Sequence, residues 1–116
     1  KKNVIQSIMV DCSHGNSQKI HTNQILVAKS ISNQIINGEN RIIGCMIESN
    51  INEGNQKLVD PTNLKYGVSI TDACINLVTT DEILNILSSS KKKNYKTENH
   101  KRLKLGDIYG GINYLI

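Results

Sequence analysis

Phenylalanine and tryptophan are absent from this chain, and tyrosine occurs only four times. There is thus no repeated aromatic platform on which nucleic-acid bases could stack. The three cysteines are an odd number and follow no paired spacing. That argues against a disulfide framework and for a reducing compartment, the cytoplasm. No apolar run approaches the roughly 20 residues that span a bilayer, so no membrane partner is expected. Nothing resembles a signal or transit peptide. A starting methionine is missing too, and Lys1-Lys2-Asn3 lead at once into an apolar run. The chain therefore reads as a fragment of something longer, although 116 residues are enough for one small domain.

Isoleucine, asparagine and lysine dominate what is present, a bias that fits an A+T-rich coding sequence better than a physical requirement. The formal charge of +4 is unevenly spread. Residues 1–90 carry 7 basic and 8 acidic side chains, whereas residues 91–116 carry 7 and 2. The excess sits in the tail and says nothing about the partner of the body. From Lys91-Lys92-Lys93 onward no helical or strand period is sustained, and 91–116 reads as a basic, poorly ordered tail.

The body has a recognisable rhythm. Val4–Val10 is short, apolar and β-branched, the pattern of a strand buried on both faces of a parallel sheet. Asn16 or Ser17 offers an N-cap for a helix reaching Asn37. Val27, Ile31 and Ile35, with Ile20, Ala28 and Ile36, form its apolar face, and Gln24, Lys29, Asn33 and Gln34 its polar one. Gly38 follows as a left-handed stop. Arg41–Ile47 is a second buried strand, so the first 47 residues make a βαβ unit. A long loop, Asn50 to Ser69, holds the single proline, Pro61. A final helix is expected from Thr79 or Thr80 to Ser90, with Asp81 and Glu82 complementing its dipole.

One βαβ unit and a helix cannot close a sheet. The simplest completion is a (β/α)8 TIM barrel, an α/β fold of which this chain supplies the last two βα units. An open doubly wound sheet fits the pattern as well. In both, site residues emerge at the carboxyl ends of strands. Asp11-Cys12-Ser13-His14 stands at one such end, Glu48 at the next, and Asp72 returns over the same rim. Neighbouring strands lie about 4.8 Å apart, so these side chains can reach one ion. An imidazole and two carboxylates suit Mn²⁺, Fe²⁺, Co²⁺ or Zn²⁺. The residues alone leave this reading level with a bland one, of a hydrogen-bonded histidine and two solvated rim acids. Cys12 could be a soft ligand, but Cys12, Cys45 and Cys74 read more simply as small buried apolar side chains. Gly15-Asn16-Ser17 could cradle a phosphate, although an ordinary turn and cap explains it better.

Four blocks carry a resemblance. They are Met9-Val10-Asp11-Cys12-Ser13-His14-Gly15-Asn16-Ser17, Ile42-Ile43-Gly44-Cys45-Met46-Ile47-Glu48-Ser49, Glu53-Gly54-Asn55-Gln56 and Tyr66-Gly67-Val68-Ser69-Ile70-Thr71-Asp72-Ala73-Cys74. In this order and spacing they resemble the type I 3-deoxy-D-arabino-heptulosonate 7-phosphate (DAHP) synthases over about residues 5–90. The wording is nearest the tyrosine-inhibited form. The resemblance implies barrel strands seven and eight with their helices, and a metal site of His14, Glu48 and Asp72. It also implies condensation of phosphoenolpyruvate with erythrose 4-phosphate, the first step toward the aromatic amino acids, by a homo-oligomer. The family's fourth, cysteine ligand and its phosphate-binding lysines and arginines belong to segments upstream of this chain, so the fragment alone is expected to be inactive.

Two departures stand out. Asn76-Leu77 occupies the place where relatives usually carry a tryptophan, which is expected to loosen the last helix. Residues from about 91 match nothing in the family, as a lineage-specific extension, a shifted frame or a decaying gene would produce. Two other readings remain open: a non-catalytic remnant or small basic polyanion-binding protein, and a different metal-dependent barrel aldolase acting on a phosphorylated sugar.

Overall fold

Strand β1 (Ile8–Asp11) lies parallel to strand β2 (Ile42–Met46), and helix α1 (Gln24–Ile36) crosses over between them. Helix α2 (Leu77–Asn94) packs against α1. The structure, a computed structural model, describes residues 6–94. Val4 and Ile5 of the expected first strand and residues 95–116 of the expected tail lie outside the described residues.

The βαβ unit forms because the apolar residues of both strands face the same helix. Val10 of the first strand and Cys12 just past its end meet Ile42 and Cys45 of the second strand and Ile47 just past its end. Ala28, Ile31 and Ile35 of α1 and Ile83 and Leu87 of α2 close over them. The strand register slips once: Ile8 pairs with Ile42, but Met9 pairs with Gly44. Ile43 is the residue left over, as in a bulge. The slip explains why Ile42 and Cys45, three apart, are both buried while Ile43 is 59% exposed.

Burial of the strands on both faces is not what the structure shows. Ile8 and Met9, like Ile43, are exposed, because both helices cover one side of the two-stranded sheet. The first helix also starts later than the Asn16 or Ser17 cap suggested. Gln18 and Lys19 both adopt left-handed backbone angles, with φ of 56° and 58°, which a right-handed helix cannot accommodate. The chain instead turns back through Lys19 N–H to His14 C=O, makes a 3₁₀ turn at His21–Asn23, and enters α1 at Gln24. At the other end Gly38 stops the helix as its sequence suggested. Its φ is 98°, its N–H donates to Ile35 C=O, and the Glu39 N–H reaches back to Gln34 C=O, the paired bonds of a Schellman stop.

The last helix begins two residues before Thr79. Asn76 Oδ1 accepts the Thr79 N–H at 2.9 Å, so Asn76, in the pair Asn76-Leu77 expected to loosen this helix, instead caps α2. The helix continues past Ser90 to Asn94. Between β2 and α2 the long loop is pinned down. Ser49 pairs with Ile75, Gly54 with Cys74, and Asn55 with Ser69, and a 3₁₀ turn occupies Pro61–Asn63. Those bridges carry Asp72 back to the end of the sheet from which His14 and Glu48 project.

Candidate metal centre

His14 leaves the chain three residues after the last residue of β1, in a turn organised by Asp11. One Asp11 oxygen, Oδ1, accepts the Ser13 N–H at 2.8 Å, the Ser13 hydroxyl at 3.1 Å and the His14 N–H at 3.4 Å. The other, Oδ2, lies 2.7 Å from His14 Nδ1. Asn16 completes the turn by donating its side-chain amide to the Asp11 carbonyl at 2.7 Å.

The far nitrogen of the same ring, Nε2, stands 3.6 Å from Glu48 Oε1 and 3.4 Å from Asp72 Oδ2. One donor atom from each of His14, Glu48 and Asp72 lies within 4.8 Å of the others. Two donors each about 2.1 Å from a shared ion, at a tetrahedral angle, stand about 3.4 Å apart. The spacing and the nitrogen-plus-carboxylate chemistry therefore fit a borderline-hard divalent cation. His14 is half-exposed, Glu48 is buried and Asp72 is exposed, so the cluster faces outward on the Asp72 side.

Glu48 is held by its main chain. Gln24, the first residue of α1, is completely buried. Its amide oxygen accepts the Glu48 N–H at 2.9 Å and its amide nitrogen donates to the Glu48 carbonyl at 3.0 Å. The Ile75 N–H reaches that same carbonyl at 3.0 Å. One buried amide thus ties the helix to the end of β2, beside the strand-like segment that follows Asp72. Sequence reasoning had placed Gln24 on the polar face of α1; the structure corrects this. The signal was present, since Gln24, Ala28, Ile31 and Ile35 keep one helical phase.

The electrostatics follow from these contacts. The Asp11 carboxylate beside it, by hydrogen bond and by charge, pushes the His14 imidazole above its ordinary value, with Glu48 and Asp72 adding to the effect. Partial burial works against the Asp11 charge, but the bonds from Ser13 and His14 outweigh it and hold that carboxyl below the usual aspartate value. Burial raises Glu48, with the Asp72 charge adding to it and the His14 charge opposing it. A cation among the three would relieve that crowding of two carboxylates.

Other candidates separate from the cluster. Cys12 is fully buried in the hydrophobic core and does not join the three donors; Cys45 and Cys74 are buried and free. Gly15-Asn16-Ser17 opens no helix, so no helix dipole supports a phosphate there. Asp11 was part of the noted motif but had been given no role. An acid three residues before a histidine at a strand exit was its signature.

Comparison with known proteins places the chain's similarity in one family. The sequence model of the DAHP synthetase I family matches residues 1–85. The tyrosine-inhibited phospho-2-dehydro-3-deoxyheptonate aldolase of Schizosaccharomyces pombe is 49% identical over 104 residues, covering 84% of this chain and 28% of that protein. The Tyr-sensitive aldolase of Escherichia coli K12 is 57% identical over 79 residues, 67% of this chain and 22% of the relative. Among solved structures, phospho-2-dehydro-3-deoxyheptonate aldolase from Francisella tularensis SCHU S4 superposes with a TM-score of 0.72 at 43% identity, covering 76% of this chain and 25% of that one. The chain thus spans about a quarter of the length of the relatives it matches. On the strength of a family match over most of its length, this chain belongs to the DAHP synthetase I family.

Proposed function

We propose that this chain is the part of a DAHP synthase that carries the metal-binding rim of its barrel. Residues 1–90 would supply strands seven and eight of a (β/α)8 barrel with their helices, and 91–116 a basic tail. The whole enzyme would join phosphoenolpyruvate to erythrose 4-phosphate. In that reaction C3 of the enolpyruvate attacks the aldehyde carbon, a water oxygen adds at C2, and inorganic phosphate leaves. The convergence of the His14, Glu48 and Asp72 donors within 4.8 Å carries the reading.

Each residue has a distinct part. Glu48, buried and fixed by Gln24, would be the rigid anchor of a cation site. His14 would offer a neutral nitrogen and Asp72 a carboxylate on the open side, where substrate can approach. A divalent cation held by these three residues would supply Lewis acidity toward a carbonyl oxygen, charge stabilisation that would suit an aldehyde gaining negative charge on its oxygen. The remaining ligand and the phosphate-binding side chains would come from upstream segments, so we expect the isolated chain to be inactive and the full-length protein to be a cytoplasmic homo-oligomer. Among the described residues, no helix is long and apolar enough to cross a membrane.

The test is metal content and turnover of the full-length protein carrying His14→Ala, Glu48→Ala or Asp72→Ala. Each should lose bound metal and most activity. Wild-type metal content and turnover in all three would refute the assignment.

A further inference from the structure

We propose that Asp11 is a positioning residue, fixing the His14 ring so that Nε2 is the nitrogen offered to a cation. The inference rests on the metal reading above and adds to it the group that sets the histidine's orientation and tautomer.

A neutral imidazole carries one N–H and one lone pair, and only the bare nitrogen can ligate. Which one is bare depends on what the other meets. Here the two faces of the choice are sharply unequal. Asp11 Oδ2 is 2.7 Å from Nδ1, whereas Glu48 and Asp72 stand at 3.4 Å or more from Nε2. A carboxylate at that distance draws the proton to Nδ1 through a charge-assisted bond. Ser13 Oγ, 2.9 Å from Nδ1, can accept the Nδ1 proton, since its own hydroxyl has a carboxylate oxygen to donate to in Asp11 Oδ1 at 3.1 Å. Nε2 is then left with its lone pair toward the two carboxylates.

Asp11 can act this way because its backbone and its carboxylate are both held by hydrogen bonds. It is the last residue of β1, paired with Met46, and the next residue continues the ladder through Cys12 N–H to Met46 C=O at 2.9 Å. Its Oδ1 gathers the Ser13 and His14 N–H groups, so the backbone turn and the ring angle are set by one carboxylate. Partners of this kind behind a metal-bound histidine typically account for about 10–100-fold in metal affinity.

The experiment uses the full-length protein with Co²⁺ as the probe, read by its visible absorption, alongside ¹⁵N NMR of the histidine ring in the ion-free protein. Asp11→Ala should weaken Co²⁺ binding by about 10–100-fold and alter the absorption band. Asp11→Asn, which keeps an acceptor without the charge, should recover part of the loss. In the wild type, at a pH where the ring is neutral, the proton should reside on Nδ1. Wild-type Co²⁺ affinity in Asp11→Ala, or a neutral wild-type ring protonated on Nε2, would overturn the proposal; the second needs no variant and so stands even if Asp11→Ala fails to fold. His14→Ala separates the two claims. If it loses Co²⁺ while Asp11→Ala keeps it, Asp11 has no positioning role and the metal site stands. If His14→Ala itself binds Co²⁺ like the wild type, the metal site is wrong and Asp11 has nothing to position.

Discussion

Replacing Gln24 by leucine isolates the buried amide that joins α1 to Glu48. The side chain is fully buried and makes two hydrogen bonds, both to the Glu48 main chain. Losing them has unequal consequences at the two ends. The Glu48 carbonyl keeps the Ile75 N–H, but the Glu48 N–H loses the acceptor the structure gives it. A stranded buried donor costs about 1–3 kcal/mol. Leucine matches glutamine closely in size, so a cavity contributes little, and its apolar burial offsets part of the loss. A net destabilisation of about 1–2 kcal/mol is expected, with Glu48 displaced and Co²⁺ bound more weakly. The assay is urea unfolding of the full-length protein followed by circular dichroism, with Co²⁺ titration in parallel. Gln34→Leu is the internal control: same residue type, same helix, exposed, with one long bond to Ser30 Oγ at 3.4 Å. It should stay within about 0.5 kcal/mol of wild type. Equal effects of the two substitutions, or unchanged Co²⁺ affinity in Gln24→Leu, would refute the reasoning.

Further expectations can be checked on the same protein. Ile83 is completely buried between α2 and the sheet, so Ile83→Ala should lower unfolding stability by about 2–5 kcal/mol; a loss below 1 would place it outside the core. Gly67 has φ of 71° and a β-carbon there would sit 2.7 Å from Ile51 Cβ, whereas Gly38, with φ of 98°, faces open space. Gly67→Ala should therefore cost more than Gly38→Ala, expected at about 1 kcal/mol, and the reverse order in thermal melts would contradict the loop's packing. In ion-free protein the His14 imidazole should titrate above its ordinary value because Asp11 holds its charged form. Its stabilisation is then complete below the unfolded-state pKa and vanishes as pH rises through the raised one. An NMR titration midpoint at or below that of a free imidazole would contradict this.

What the sequence made legible was whatever depends on local pattern. The βαβ order, the Gly38 stop and the three rim donors all follow from runs, spacing and strand exits. The start of α1 was not legible, because nothing in Gln18-Lys19 announces two consecutive left-handed residues. Those angles arise from the tight turn in which Lys19 bonds back to His14. The bulge at Ile43 was hidden for a similar reason: an all-apolar strand has no alternation from which a slipped register could be noticed. Asp11 and Gln24 were visible but mute. Their roles lie in what they touch, and contacts such as Gln24 with Glu48, 24 positions away, are a property of the folded chain.

The side-by-side thiols of Cys12 and Cys45 give the βαβ unit a reporter of its own opening. Their mutual contact, then burial, pushes the Cys12 thiol far up, and both sulfurs are shut off from solvent. An alkylating reagent can reach them only when strand and helix part company. The rate of labelling in native buffer would therefore count those excursions directly, giving the local opening free energy of the scaffold behind His14 without any denaturant.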